Sequence, residues 1–329
     1  IAPIPAAVSP LAEAPSPPRP VIRDVRWAPV ASIVRKARDS DNWPLTWGDD
    51  DAQYTAYGDG RGFDPPVSRK LSLGFAKVVG PPDAFEGINI PSATGERLGD
   101  GARGEKASGI VMVDGILYLW VRNADVARLA RSSDHAATWE WSDWRFEKRF
   151  GCPTFLNFGK NLAGSRDDYV YVYSPDSESA YEASDRLLLA RVPRDQIMAR
   201  DAYEFFQALD ERGAPKWSRD VEESEGVFRN PGRCYRTSVS YDAGLGRYLL
   251  CQAEPGENTR FRGGFGVYDA PAPWGPWTTT YFTRDWDVGP GESCGFPTKW
   301  MSADGKTVHM VFSGADSFSV RKAEFLVAE

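Results

Sequence analysis

One pattern returns five times along this chain: a strand-like run, a turn rich in glycine and aspartate, then a second run ending on a small or polar residue. The first copy is residues 45–47, the turn 48–51 and residues 53–59; later copies begin near Ala107, Cys152, Cys234 and Cys294. Within them, runs 109–113 and 116–120 flank the turn Asp114-Gly115. Residues 169–173, 237–241 with 247–250, and 307–312 read the same way. Helical periodicity is scarce; the best window, residues 194–210, predicts one short helix or two turns. Five units of about 60 residues fit four-stranded blades with long loops. The expected fold is therefore all-β, a five-bladed β-propeller, which closes on itself and leaves only short sheet edges.

The propeller is expected to fill residues 21–329 as a single domain. Residues 1–20 hold prolines at a density that disfavours ladder hydrogen bonding, and read as a linker left after removal of an export signal. The protein is therefore expected to be secreted, periplasmic or on the cell surface. A net charge of -7 gives no basic footprint for nucleic acid or an anionic membrane, and no apolar run is long enough to span a bilayer. A monomer is expected. With only His135 and His309, a histidine-rich metal centre is excluded. The acidic run Asp49, Asp50 and Asp51 sits in a hairpin turn and reads as solvated, so no cofactor or metal is expected. Cys234 and Cys251 flank the turn 242–246. They either face each other across a hairpin or, with Cys152 and Cys294, are buried thiols.

In a propeller the inner strands converge on the axis, so the start of each copy is where chemistry belongs. The first copy starts at Asp41, Asn42 and Trp43, and its second strand ends at Asp59, so two aspartates approach one mouth. Facing carboxylates are what glycoside hydrolysis needs: one protonates the leaving oxygen, the other activates water or attacks the sugar. An aspartate beside glycine or asparagine also simply makes turns. Lys106, Tyr235 and Arg236 precede two further inner strands. Glu254 and Asp316 follow second strands, Glu254 being either a third carboxylate or a loop residue. Arg236 reads either as a fork for a sugar hydroxyl or uronate, or as half of a structural ion pair. Trp43 is the candidate for stacking on a sugar face, whereas Trp139, Trp141 and Trp277 read as core.

Ser132, Asp134, Thr138 and Trp139 resemble the Asp-box, a hairpin turn of sialidase-like propellers with a structural role; Ala136 and Ala137 replace its glycine region. Together with the 41–44 and 57–60 segments and the blade start at 233–236, this turn resembles a family of bacterial secreted propellers that includes endo-D-arabinanases acting on mycobacterial arabinan. The resemblance covers roughly residues 22–326. It implies hydrolysis by two aspartates, mapping onto Asp41 and Asp59. Two other functions fit the same residues: a polysaccharide lyase using Tyr235, Arg236 and His135 on a uronate, and a non-catalytic glycan-binding propeller.

Overall fold

The computed structural model describes residues 21–255 and 264–328; the proline-rich 1–20 segment lies outside them. The first strands, β1 (Ile22–Trp27) and β2 (Val34–Lys36), join the last blade, so the ring is traced from the third strand. Blade I is β3 (Asp41–Trp47), β4 (Gln53–Gly58), β5 (Gly74–Val79) and β6 (Glu86–Ile90). Blade II is β7 (Lys106–Val113), β8 (Ile116–Ala124), β9 (Val126–Ser132) and β10 (Glu140–Phe146). Blade III comprises β11 (Thr154–Asn157), β12 (Tyr169–Pro175), β13 (Ser184–Pro193) and β14 (Glu204–Leu209), with β15 (Pro215–Ser218) and β16 (Gly226–Cys234) added outside. Blade IV is β17 (Thr237–Asp242), β18 (Arg247–Ala253), β19 (Phe265–Ala270) and β20 (Thr278–Thr283). Blade V is β21 (Cys294–Gly295), β22 (Thr307–Phe312) and β23 (Phe318–Val327), completed by β1.

The architecture is the expected all-β, five-bladed propeller. Closure is made by β1 pairing antiparallel with β23, which ties the two ends of the described chain into one sheet. The inner strands of blades III and IV also pair in parallel, Leu156 opposite Val239. The apolar core lies between blades rather than at the axis. Phe75 of blade I stacks on Trp139 of blade II at 4.9 Å, and Trp27 packs with Phe265, Trp286 and Phe296 at the seam of blades IV and V. Blade faces thus bury each other, as stacked sheets must.

Local chemistry matches the turns. Asp114 and Gly115 both take left-handed backbone (φ 51° and 79°), the two-residue hairpin geometry that matches strand twist. The Asp-box-like turn is structural, as expected. Asp134 accepts from Thr138 N and Thr138 Oγ1 at 2.8 and 2.6 Å, while Ala136 takes the left-handed backbone (φ 72°) that glycine favours. Of the short helix or two turns expected over 194–210, no α-helix forms: turns and a short 3-10 turn at Arg200–Ala202 lead into β14. Tyr203 and Phe205, two apart, are both buried, a strand period that overrides the helical pattern. All four cysteines are free. Cys251 lies opposite Ser238, not Cys234, because Cys234 has already left the hairpin on β16, opposite Ser184.

Candidate active site

Asp41 opens β3 and pairs with Gly58 at the end of β4. This pairing needs a glycine: a Cβ on residue 58 would sit 2.6 Å from Asn42 Nδ2 and 2.7 Å from Asp41 Oδ1. The next two residues, Asn42 and Trp43, both hold left-handed backbone (φ 76° and 72°), and the β3–β4 register slips between Asn42 and Leu45. Left-handed φ in a tryptophan is rare and costs about 1–3 kcal/mol, strain of the kind found at functional sites. This bulge turns Asp41 and Asn42 into the mouth of the axial funnel.

Six charged side chains converge there. Asp41 is buried and its Oδ1 accepts from Asn42 Nδ2 at 2.9 Å. Burial, and then the charge of Glu292, push the Asp41 pKa up to about 7, against the opposing pull of Lys106. Asp59, on a left-handed backbone (φ 44°), pairs with buried Lys106 through Oδ1 and accepts from Gly101 N at 3.0 Å through Oδ2. Lys106 sits directly across the β7–β8 ladder from Arg122. Fully buried Arg122 donates to Asn42 Oδ1 at 2.7 Å and to Glu292 Oε2 at 3.4 Å; its Nη1 has no hydrogen-bond partner. Arg236 pairs with the same Glu292 oxygen and donates Nε to the Ala180 carbonyl at 3.2 Å. Burial would raise the Glu292 pKa, but Arg236 and Arg122 outweigh it and hold it below the usual value. The cluster thus contains one carboxyl that carries a proton near neutral pH, between two carboxylates neutralised by cations.

The axial pocket runs from Asn42, Arg122, Arg236 and Glu292 of this cluster down between Thr46, Thr154, Asn157, Ser240 and Thr298, with about 80 Å³ of room for water centres in all. That is space for a few waters and not for a polymer. Above it, Tyr181 is 38% exposed, with the guanidinium carbons of Arg236 and Arg122 at 4.9 and 5.4 Å from its ring centroid. A second groove, lined by Arg38, Asp39, Arg61 and Lys70, adjoins Asp59 on the rim.

Of the residues singled out in the sequence, Asp41, Asn42, Asp59, Lys106 and Arg236 are brought together. Three are not where the sequence suggested. Trp43 is 3% exposed and packs its ring against Tyr57, Phe63 and Phe318, so no sugar can stack on it. Glu254 is neither a third mouth carboxylate nor a solvated loop residue. It is buried at the end of β18, where Asn230 donates to it at 3.0 Å and Arg233 and Arg284 pair with it. His135 lies at the opposite end of the propeller, bonded to Asp49 of the β3–β4 turn at 2.8 Å. The lyase trio is therefore not assembled, and Tyr235 is buried beside Arg236. Where that turn meets the β9–β10 turn, the ligand atoms of Asp49, Asp50 and His135 lie within 4.8 Å of one another. Sequence reasoning missed Glu292, although it stands two residues before the blade start at Cys294. It also missed Arg122, which ends a second strand much as Asp59 does, and Tyr181, for which the sequence carries no signal.

The fold and this mouth define a five-bladed propeller with a carboxylate- and guanidinium-lined axial site. By its sequence the chain belongs to the DUF4185 family, a domain of unknown function, matched over residues 117–323. That match spans part of blade II and all of blades III and IV, and most of blade V, and leaves out Asp41, Asp59 and Lys106. No curated protein matches the chain in sequence. Among solved structures, a candidate hydrolase from Bacteroides ovatus shares the fold with a TM-score of 0.53 at 10% identity, over 91% of this chain and 93% of that one. A family 43 β-xylosidase/α-arabinofuranosidase from a compost metagenome, in complex with xylotriose, aligns at TM-score 0.49 and 13% identity (93% and 96% covered). An α-L-arabinofuranosidase from Podospora anserina, in complex with cellotriose, aligns at 0.48 and 12% (97% and 99%).

Proposed function

We propose that this protein is an exported glycoside hydrolase that cleaves a polysaccharide at the funnel mouth, with endo-acting cleavage of D-arabinan as the substrate reading. The observation that carries it is the unequal pair at the end of the first hairpin: Asp41 buried with a pKa of about 7, Asp59 beside it and ion-paired to Lys106. Asp41 is then the acid that protonates the leaving glycosidic oxygen. Asp59, at the rim groove open to solvent, is the base or nucleophile. Asn42 positions Asp41 through its amide, and Arg122 holds Asn42 through the other end of the same amide. Glu292 keeps Asp41 protonated by adding a second negative charge nearby. Tyr181, backed by two guanidiniums and open on its outer side, offers the aromatic face for a sugar ring that Trp43 does not.

The test is release of reducing ends from a polysaccharide panel that includes D-arabinan, with absorbance at the unsaturated-uronate band read in parallel. Reducing ends without new absorbance, lost in both Asp41→Asn and Asp59→Asn, are expected. Rising absorbance would make the protein a lyase. Binding without cleavage on every polymer, unchanged in both variants, would make it a glycan-binding propeller.

A further inference from the structure

Two buried thiols meet at the seam between blades IV and V, just beneath the mouth. Cys251 on β18 and Cys294 on β21 are 1% and 5% exposed and belong to the same apolar cluster. Ser238 places them together: it faces Cys251 across the β17–β18 ladder, and its Oγ donates to the Cys294 carbonyl at 2.5 Å. Burial, and then the nearby Cys294, push the Cys251 thiol well above its usual pKa. The other two cysteines stand apart from this pair, Cys152 beside Arg122 and Arg236, Cys234 opposite Ser184.

The seam is joined by side-chain packing and not by a strand ladder. Blades III and IV share a parallel strand pair, but β21 pairs only with β22 and β17 only with β11 and β18, so among the described residues no ladder crosses from IV to V. What crosses at the mouth is the Arg236–Glu292 ion pair. Arg236 lies two residues before Ser238, and Glu292 two before Cys294. Cys294 therefore sits one strand-step below Glu292 on the same segment, and Cys251 lies on β18 beside Ser238, one strand-step below Arg236.

We propose that Cys251 and Cys294 are a disulfide-forming pair that, oxidised, cross-links blades IV and V under the site. Each thiol loses a proton and the pair gives up two electrons, forming one S–S bond. The electron acceptor is a small or protein disulfide, which leaves as two thiols. Because both sulfurs are buried in the folded ring, the exchange takes place during folding, before the seam closes. The closed segment, residues 251–294, contains two whole strands, β19 and β20, so the cross-link removes substantial freedom from the unfolded chain. The cross-link does not depend on which reaction the mouth performs.

The test refolds the full chain in a mixture of oxidised and reduced glutathione, with a reduced sample beside it. Both are alkylated in denaturant, digested without reduction and mapped by mass spectrometry. Expected are alkylated Cys152 and Cys234, one peptide pair joined through Cys251 and Cys294, and an unfolding midpoint several degrees above the reduced protein. Cys251→Ser and Cys294→Ala should each abolish that redox-dependent shift. Four alkylated cysteines after oxidative refolding, a cross-link between any other pair, or a midpoint shift that survives in either variant would overturn the proposal. The peptide map of the wild-type chain decides even where a variant fails to fold.

Discussion

Asp41→Asn separates the electrostatic account of the mouth from a merely structural one. Asparagine keeps the oxygen that accepts from Asn42, so shape and hydrogen bonding are nearly preserved while the charge is removed. The Asp41 pKa rises from 3.8 unfolded to about 7 folded. An acid raised on folding binds its proton more tightly in the folded state. Its cost to stability is therefore absent below the unfolded pKa, grows as pH rises between the two values, and is complete above the folded one. At 1.36 kcal/mol per unit, the full cost is about 4 kcal/mol. By the same linkage roughly 2 kcal/mol of it is already present at pH 5, so the variant should gain about 2–3 kcal/mol relative to wild type between pH 5 and pH 8. Urea unfolding of both proteins at the two pH values measures this, and taking the difference cancels the titration of groups that Asp41 does not touch. A pH-independent difference between them would refute the claim that burial and Glu292 hold the carboxyl protonated. So would a variant that loses stability relative to wild type on going from pH 5 to pH 8. Wild-type kcat/KM should fall as pH passes 7, where Asp41 gives up its proton.

Glu292→Gln leaves Arg122 and Arg236 buried without their carboxylate and should cost about 3–5 kcal/mol in urea unfolding. Glu254→Gln, whose arginine partners are partly solvated, should cost about 1 kcal/mol and leave kcat unchanged. Equal losses would contradict the separation of the two clusters. Tyr181→Ala should raise KM for a polymeric substrate with little change in melting temperature. Trp43→Ala, a deletion inside the blade I and V core, should cost about 3–5 kcal/mol. A Trp43 variant that weakened glycan binding while keeping its stability would restore that residue as a sugar platform.

The five blades were legible because a strand period and a glycine–aspartate turn are local properties. The starts near Ala107, Cys152, Cys234 and Cys294 fall within a few residues of β7, β11, β17 and β21. The rule that blade starts line the mouth also led to Asp41, Asn42, Lys106 and Arg236. The same local pattern misled at residues 194–210, where spacing suited a helix until blade III supplied a partner strand for Phe205. It misled at Trp43 too, since two left-handed residues turn that ring inward, a backbone choice that no pattern of letters reveals.

By itself, then, the sequence determined the class of element, the number of repeats and the ends at which charged residues gather, because each follows from neighbours along the chain. Tertiary structure alone decided which charges meet. Glu292 joins Arg122 and Arg236 from two other blades, and Cys251 meets Cys294 across a seam, because ring closure brings together residues far apart in the sequence. The acidity of Asp41 arises the same way, from burial and a carboxylate 251 positions away, and a pKa follows the field at a point in space rather than the order of the letters.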